Sequence, residues 1–190
     1  VLAGPLLRRV APDRLVFWLA VSAPVRVRFT LDEGEGVRRR FELEPNQPGL
    51  RMFTAGERLY YLLIDLALET PLPRDRWIGY TVALKSLQQP QAAWLDVTEA
   101  SPGLCFPEKT TPGFVLPSQV GSLLHGSCRK PHHLGRDGLG EADGLLARCL
   151  AHGMPGESRP RQDDDADYLP TWPSALVLTC DQVYADDVAG

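Results

Sequence analysis

Along the first hundred residues, apolar and polar positions alternate in short runs. Val25, Val27 and Phe29 interleave with Arg26, Arg28 and Thr30, the period of two that marks a half-buried strand. Leu6 to Val10 and Leu15 to Ser22 are rich in Val, Leu and Phe and predict two strands before it. The stretch Asp32-Glu-Gly-Glu-Gly36 predicts a turn, after which Val37 to Leu43 resumes the alternation. Pro45-Asn-Gln-Pro-Gly49 predicts another break. Leu59 to Glu69 is long and apolar, and its paired tyrosines, Tyr60 and Tyr61, favour strand over helix. Trp77 to Leu84 predicts a further strand and Ala92 to Val97 one more. Strands at this spacing, with turn residues between them, predict a β-sandwich over residues 1–115.

Beyond it the pattern changes. Ala100 to Ser118 carries Pro102, Pro107, Pro112 and Pro117 and reads as a linker or exposed loop, with a domain boundary near residue 115. Gly121 to Cys128 predicts a short strand. From Asp137 to His152, Leu139, Ala142, Leu145, Leu146, Cys149 and Leu150 fall at helical spacing. Gly138, Gly140 and Gly144 weaken that helix toward its start. Gly153 to Trp172 reads as a polar loop, and Ala175 to Thr179 as a buried strand. Strand, helix and strand over residues 116–190 make a βαβ pattern, which implies a parallel pair.

Composition narrows the classes. The chain has 190 residues, 44% of them hydrophobic, enough for one large domain or two small ones with a core. Proline and glycine, 17 of each, exceed ordinary usage and fit many turns and short elements. A net charge of −4 gives no compositional reason to expect nucleic acid or an anionic membrane as partner. No apolar run reaches the roughly 18 residues of a membrane span. The four cysteines, Cys105, Cys128, Cys149 and Cys180, form no C-x-x-C pair and are expected to be reduced. No signal-like segment opens the chain, and the default expectation is a cytoplasmic protein.

In open parallel sheets, ligands gather at the carboxyl ends of strands. Cys128 and Asp181 each follow a predicted strand, and Tyr184 stands three residues after Asp181. A tight turn would aim Asp181 and Tyr184 at one ion, both being hard donors, with Cys128 adding a softer one. The alternative is that Asp181 caps a following helix and Tyr184 packs beneath it. Other groupings carry less. Cys128 with His132 and His133 lacks a second ligand pair at zinc-finger distance. Asp163, Asp165 and Asp167 begin like a calcium loop, but Tyr168 and Ser174 stand where its glycine and glutamate belong. The Gly138-Leu-Gly140 stretch misses the third glycine of a dinucleotide fingerprint. His125 reads as a packing histidine, Arg38 to Arg40 as one face of a strand, and Phe17, Trp18, Tyr60, Tyr61 and Trp77 as core.

Gly126-Ser-Cys128, followed by an apolar strand and Thr179-Cys-Asp181-Gln-Val-Tyr184-Ala-Asp-Asp187, resembles the PhoD-like phosphatases. These form the alkaline phosphatase D branch of the metallophosphoesterases. Gly4-Pro-Leu-Leu-Arg-Arg-Val10 and Leu15-Val-Phe-Trp-Leu-Ala-Val21 resemble the first strands of the immunoglobulin-like sandwich that precedes the family's catalytic domain. The resemblance implies an immunoglobulin- or fibronectin-like sandwich over 1–115 and the first βαβ part of a catalytic domain over 116–190. It implies Cys128 and Tyr184 as ligands to iron, and Asp181 as the carboxylate bridging iron and calcium and central to catalysis. The implied activity is hydrolysis of phosphate mono- or diesters, and some members of the family are secreted or periplasmic.

Two departures qualify it. Cys180 replaces the family's glycine before the aspartate. The family's later Asn, Asp and His ligands have no counterparts up to Gly190, so the expectation is the front part of a longer enzyme, inactive alone. Its open sheet edge would then favour self-association. The alternative is a non-catalytic β-sandwich interaction module with a vestigial phosphatase segment.

Overall fold

The computed structural model describes residues 1–101, 103–130, 134–135, 137–152 and 172–179. The protein is mainly β, and the chain divides into two compact units, Val1–Leu116 and Pro117–Gly190. In the first unit, β1 (Ala3–Ala11), β2 (Arg14–Val21), β5 (Leu50–Gly56) and β6 (Leu59–Ala67) form an antiparallel sheet in the order β1-β2-β6-β5. A second antiparallel sheet has the order β4-β3-β7-β8, from β3 (Val25–Asp32), β4 (Arg38–Leu43), β7 (Trp77–Ser86) and β8 (Leu95–Asp96). A short strand β9 (Gly113–Val115) also pairs with β7.

The alternation of side chains gives each sheet one apolar face, and these two faces share one core. Leu15, Phe17 and Leu19 from β2 meet Val27, Phe29 and Leu31 from β3, all fully buried. Phe17 is the hub: its ring centroid lies 5.0 Å from Phe29 and 4.8 Å from Tyr80. Burial, with a smaller push from Cys105, lifts the Tyr80 hydroxyl to about 12, the sign of a dry surrounding.

Several expectations change at this level. The stretch expected as a linker contains β9, and Phe114 and Leu116 are buried. Gly113 makes that close approach feasible, since a Cβ there would stand 2.5 Å from the Ile78 carbonyl and the Trp77 ring. Strand β5 carries no clear alternation in the sequence because only Leu50 is buried, while Arg51 and Phe53 face outward. The strand expected from Ala92 shrinks to β8, because Asp96 caps a single helical turn, α1 (Val97–Ala100), by accepting the Thr98 N–H. Of the five aromatics expected in the core, Phe17 is fully buried; Trp18, Tyr60, Tyr61 and Trp77 are half-buried, Tyr60 packing against the core.

Arg38 to Arg40 do not share a face, because neighbouring strand residues point opposite ways. Arg38 pairs with Asp32 and Arg40 with Glu42 on the outer side. Arg39 turns the other way, 2.6 Å from Glu33, whose side chain is only 5% exposed, and also donates to the carbonyls of Thr70 and Pro71. The pair ties the β3–β4 turn to the segment before β7.

Removing one partner of a buried ion pair leaves the other charge without compensation. Arg39→Ala should therefore destabilise the protein by about 3 kcal/mol. Arg26→Ala, which breaks the exposed pair with Glu44, should cost less than about 1 kcal/mol. Urea unfolding checks both; equal costs would mean that the Arg39–Glu33 pair is not structurally special.

Candidate functional site

The second unit is built from β10 (Leu123–Ser127), α2 (Gly138–His152) and β11 (Ala175–Thr179). The two strands pair in parallel and in step, from Leu123 opposite Ala175 to Ser127 opposite Thr179. Both therefore run out of the sheet side by side at their carboxyl ends. Leu178 packs over the space that Gly126 leaves, where a Cβ would meet its side chain at 3.2 Å. β11 was expected to be buried; instead Leu176, Val177 and Leu178 are 51%, 40% and 40% exposed. Among the described residues this sheet has two strands.

Cys128 follows β10 directly. It is exposed and has a φ of 54°, a left-handed conformation that costs a non-glycine residue about 1–3 kcal/mol. Such a bend turns the chain out of the strand at the point where the thiol emerges. The Ser127 hydroxyl and the Cys128 sulfur are 3.2 Å apart. His125 is exposed and sits 2.8 Å, Nε2 to Oγ1, from Thr179 across the pair, so it bridges the strands instead of packing in a core. Among the described cysteines, Cys105, Cys128 and Cys149 are thiols. Burial pushes the Cys149 thiol up, which keeps it unreactive.

A cavity of about 620 Å³ lies between the strand ends and the start of α2. Its floor is apolar, with Leu124, Leu145 and Leu178. Its rim carries Arg129, Lys130 and Arg148 against Asp137 and Glu141. Arg129 grips both oxygens of Asp137, Nε donating to Oδ1 at 2.9 Å and to Oδ2 at 3.2 Å and the terminal nitrogen to Oδ2 at 2.6 Å. Asp137 also accepts the Leu139 N–H and so caps α2. The Arg129 hydrogen bonds, then the capping bond, pull the Asp137 carboxyl down to about 2. The glycines of the rejected dinucleotide fingerprint, Gly138 and Gly140, form the first turn of this helix.

Of the residues expected to bind metal, the structure locates Cys128 at the mouth of this cavity. Asp181 and Tyr184 lie outside the described residues, as do Cys180, His132 and His133, and the acidic stretch from Asp163 to Asp167. The sequence reading did not single out the Arg129–Asp137 clasp, Lys130 or Arg148. Asp137 did carry a signal, an aspartate at the head of a helical-period stretch. No helix among the described residues is long and apolar enough to cross a membrane. No family model, curated protein or solved structure matches the chain.

The Asp137 carboxyl titrates below its unfolded value of about 3.9. It therefore stabilises the fold above that pH, and the contribution fades as pH falls toward about 2. Arg129→Gln should raise the Asp137 midpoint toward the ordinary range and bring acid loss of α2 to higher pH. Carbon-13 NMR of the carboxyl checks this; an unmoved midpoint would contradict the clasp.

Proposed function

We propose that the chain carries the front part of a PhoD-like, metal-dependent phosphoesterase. In this reading residues 1–115 form an immunoglobulin- or fibronectin-like β-sandwich, and residues 116–190 open an α/β metallophosphoesterase domain. Cys128, Asp181 and Tyr184 hold the metal, iron with calcium beside it, and Asp181 is the carboxylate nearest the chemistry. The observation that carries the reading is the in-step parallel pairing of β10 and β11. Cys128 follows one strand end by a single residue, and Asp181 follows the neighbouring end by two.

What is described fits a metal in part. The Cys128 thiol is exposed at the cavity mouth, as a sulfur donor must be to meet an incoming cation. Bound cations would offset the charge of a phosphate ester and activate an oxygen nucleophile. The chain's own contribution is positional. Lys130 and Arg148 line the rim, where their charges favour an anionic ester. The Arg129–Asp137 clasp fixes the start of α2 beside it. The apolar floor suits the ester's organic group.

A second reading, a non-catalytic interaction module, draws on a different surface, the outer face of the four-stranded sheet.

The test is metal uptake. Ferric iron added to the purified chain, followed by dialysis, should leave about one iron per chain. A visible phenolate charge-transfer band should accompany it. Tyr184→Phe should remove the band, and Cys128→Ser or Asp181→Asn should lower the iron retained. Iron retention that none of the three substitutions changes would sink the assignment.

A further inference from the structure

The outer faces of the two sheets in the first unit differ in how their charges are used. On the five-stranded sheet each outward arginine of β3 and β4 has a carboxylate: Arg26 with Glu44, Arg28 and Arg40 with Glu42, and Arg38 with Asp32. Arg28 also lies over the Trp94 ring at 4.1 Å. On the four-stranded sheet the balance is otherwise. Arg14 makes a two-pronged pair with Asp65 at 2.7 and 2.6 Å. Arg9 and Arg51 make no salt bridge among the described residues. The Asp65 carboxyl is held below its usual range first by Arg14, and further by the charges of Arg51 and Arg9. Asp65 thus faces three guanidinium groups, with Asp13 a further carboxylate near Arg14, which leaves the cations in excess.

Strand register shows what lies between those two arginines. Arg9 stands opposite Val16, which stands opposite Asp65. In the next row Leu6 is opposite Trp18, Trp18 opposite Leu63, and Leu63 opposite Arg51. Beyond it Tyr61 is opposite Phe53. Phe53 is 68% exposed and Leu6 48%. Trp18 and Tyr61 pack side by side, ring centroids 5.7 Å apart. Exposed aromatic and aliphatic side chains flanked by arginines have the composition of a protein-binding surface.

We infer that this face binds an acidic, extended peptide segment of a partner protein, with an aromatic or aliphatic residue between two carboxylates. Charge selects the occupant. The face is locally positive on a chain whose net charge is −4. A long polyanion or an anionic bilayer meets the repulsion of the whole chain, whereas a short segment meets only the patch. Geometry sets the spacing. Arg9 on β1 and Arg51 on β5 are three strand spacings apart and one side-chain row out of line, about 16 Å in all. Four steps of extended chain cover about 13 Å, and the arginine side chains span the remainder. Residues i, i+2 and i+4 of an extended peptide share one face. Carboxylates at i and i+4 therefore reach the two arginines, while the residue at i+2 lies midway, between the Val16–Asp65 and Trp18–Leu63 rows. The inference is independent of the phosphoesterase reading, because every residue in it belongs to the first unit.

The test uses a fluorescein-labelled peptide with the core Glu-Ser-Phe-Ser-Glu and the whole chain, read by fluorescence anisotropy. Saturable binding is expected, weakened by salt. The double variant Arg9→Gln, Arg51→Gln should lose about tenfold or more in affinity. Arg28→Gln, which removes the same charge from the opposite sheet, should leave affinity unchanged. Both arginines of the double variant are exposed, so its fold should persist, and circular dichroism checks that. The proposal is overturned by no binding up to about 1 mM peptide, or by equal binding of the double variant. It is also overturned by equal binding of the peptide with serine in place of phenylalanine. Arginine-dependent capture of phosphatidylserine vesicles or single-stranded DNA in preference to the peptide overturns it as well.

Discussion

Two parallel strands cannot be joined by a tight turn, so the chain must travel back along the sheet before the second one starts. In this protein α2 lies within that return. The consequence is geometric: both strands end at the same edge, and whatever follows them emerges together. The in-step register of β10 and β11 sets the spacing, and Leu178 packs over the space that Gly126 leaves. Cys128, bent into a left-handed conformation directly after β10, takes its position from that register. The cavity, its charged rim and the proposed metal ligands all depend on it.

The two units meet their burial requirements differently. In the first, each sheet has one alternating apolar face, and the faces cover each other around Phe17, Phe29 and Tyr80. The arginines there are mostly outside, and the one turned inward, Arg39, is matched by Glu33 and two carbonyls. In the second unit Leu176, Val177 and Leu178 are substantially exposed. Among its described residues, polar contacts such as the Arg129–Asp137 clasp and the His125–Thr179 bridge stand beside the buried Cys149 and Leu150 of α2.

Much of the first unit was legible because alternation is a strong signal where one face is buried. β2, β3, β6 and β7 fall where the pattern predicts them, since Leu, Val and Phe recur at every second position. β5 was hidden because its outward Phe53 breaks the expected polarity and its last residues are all exposed. β9 was hidden because three residues pairing with a neighbour leave no period to read. Arg39 shows the limit for charges: three arginines in a row look alike until the pleat assigns them to faces. In the second unit, β10, α2 and β11 follow from apolar spacing, and Asp137 could have been read as the cap. The depth of β11 could not, because an apolar run states only what a strand can bury, not whether a neighbour exists to cover it. Of the candidate site, Cys128 was legible as a residue at a strand end. The clasp between Arg129 and Asp137, eight residues apart, required the fold.

The central claim is that one cation is shared by the residues leaving β10 and β11. X-ray absorption at the iron edge of the iron-loaded chain tests it most directly. The account predicts one sulfur neighbour among oxygen neighbours, with the sulfur lost in Cys128→Ser. An all-oxygen environment, identical in the chain and in that variant, would contradict it.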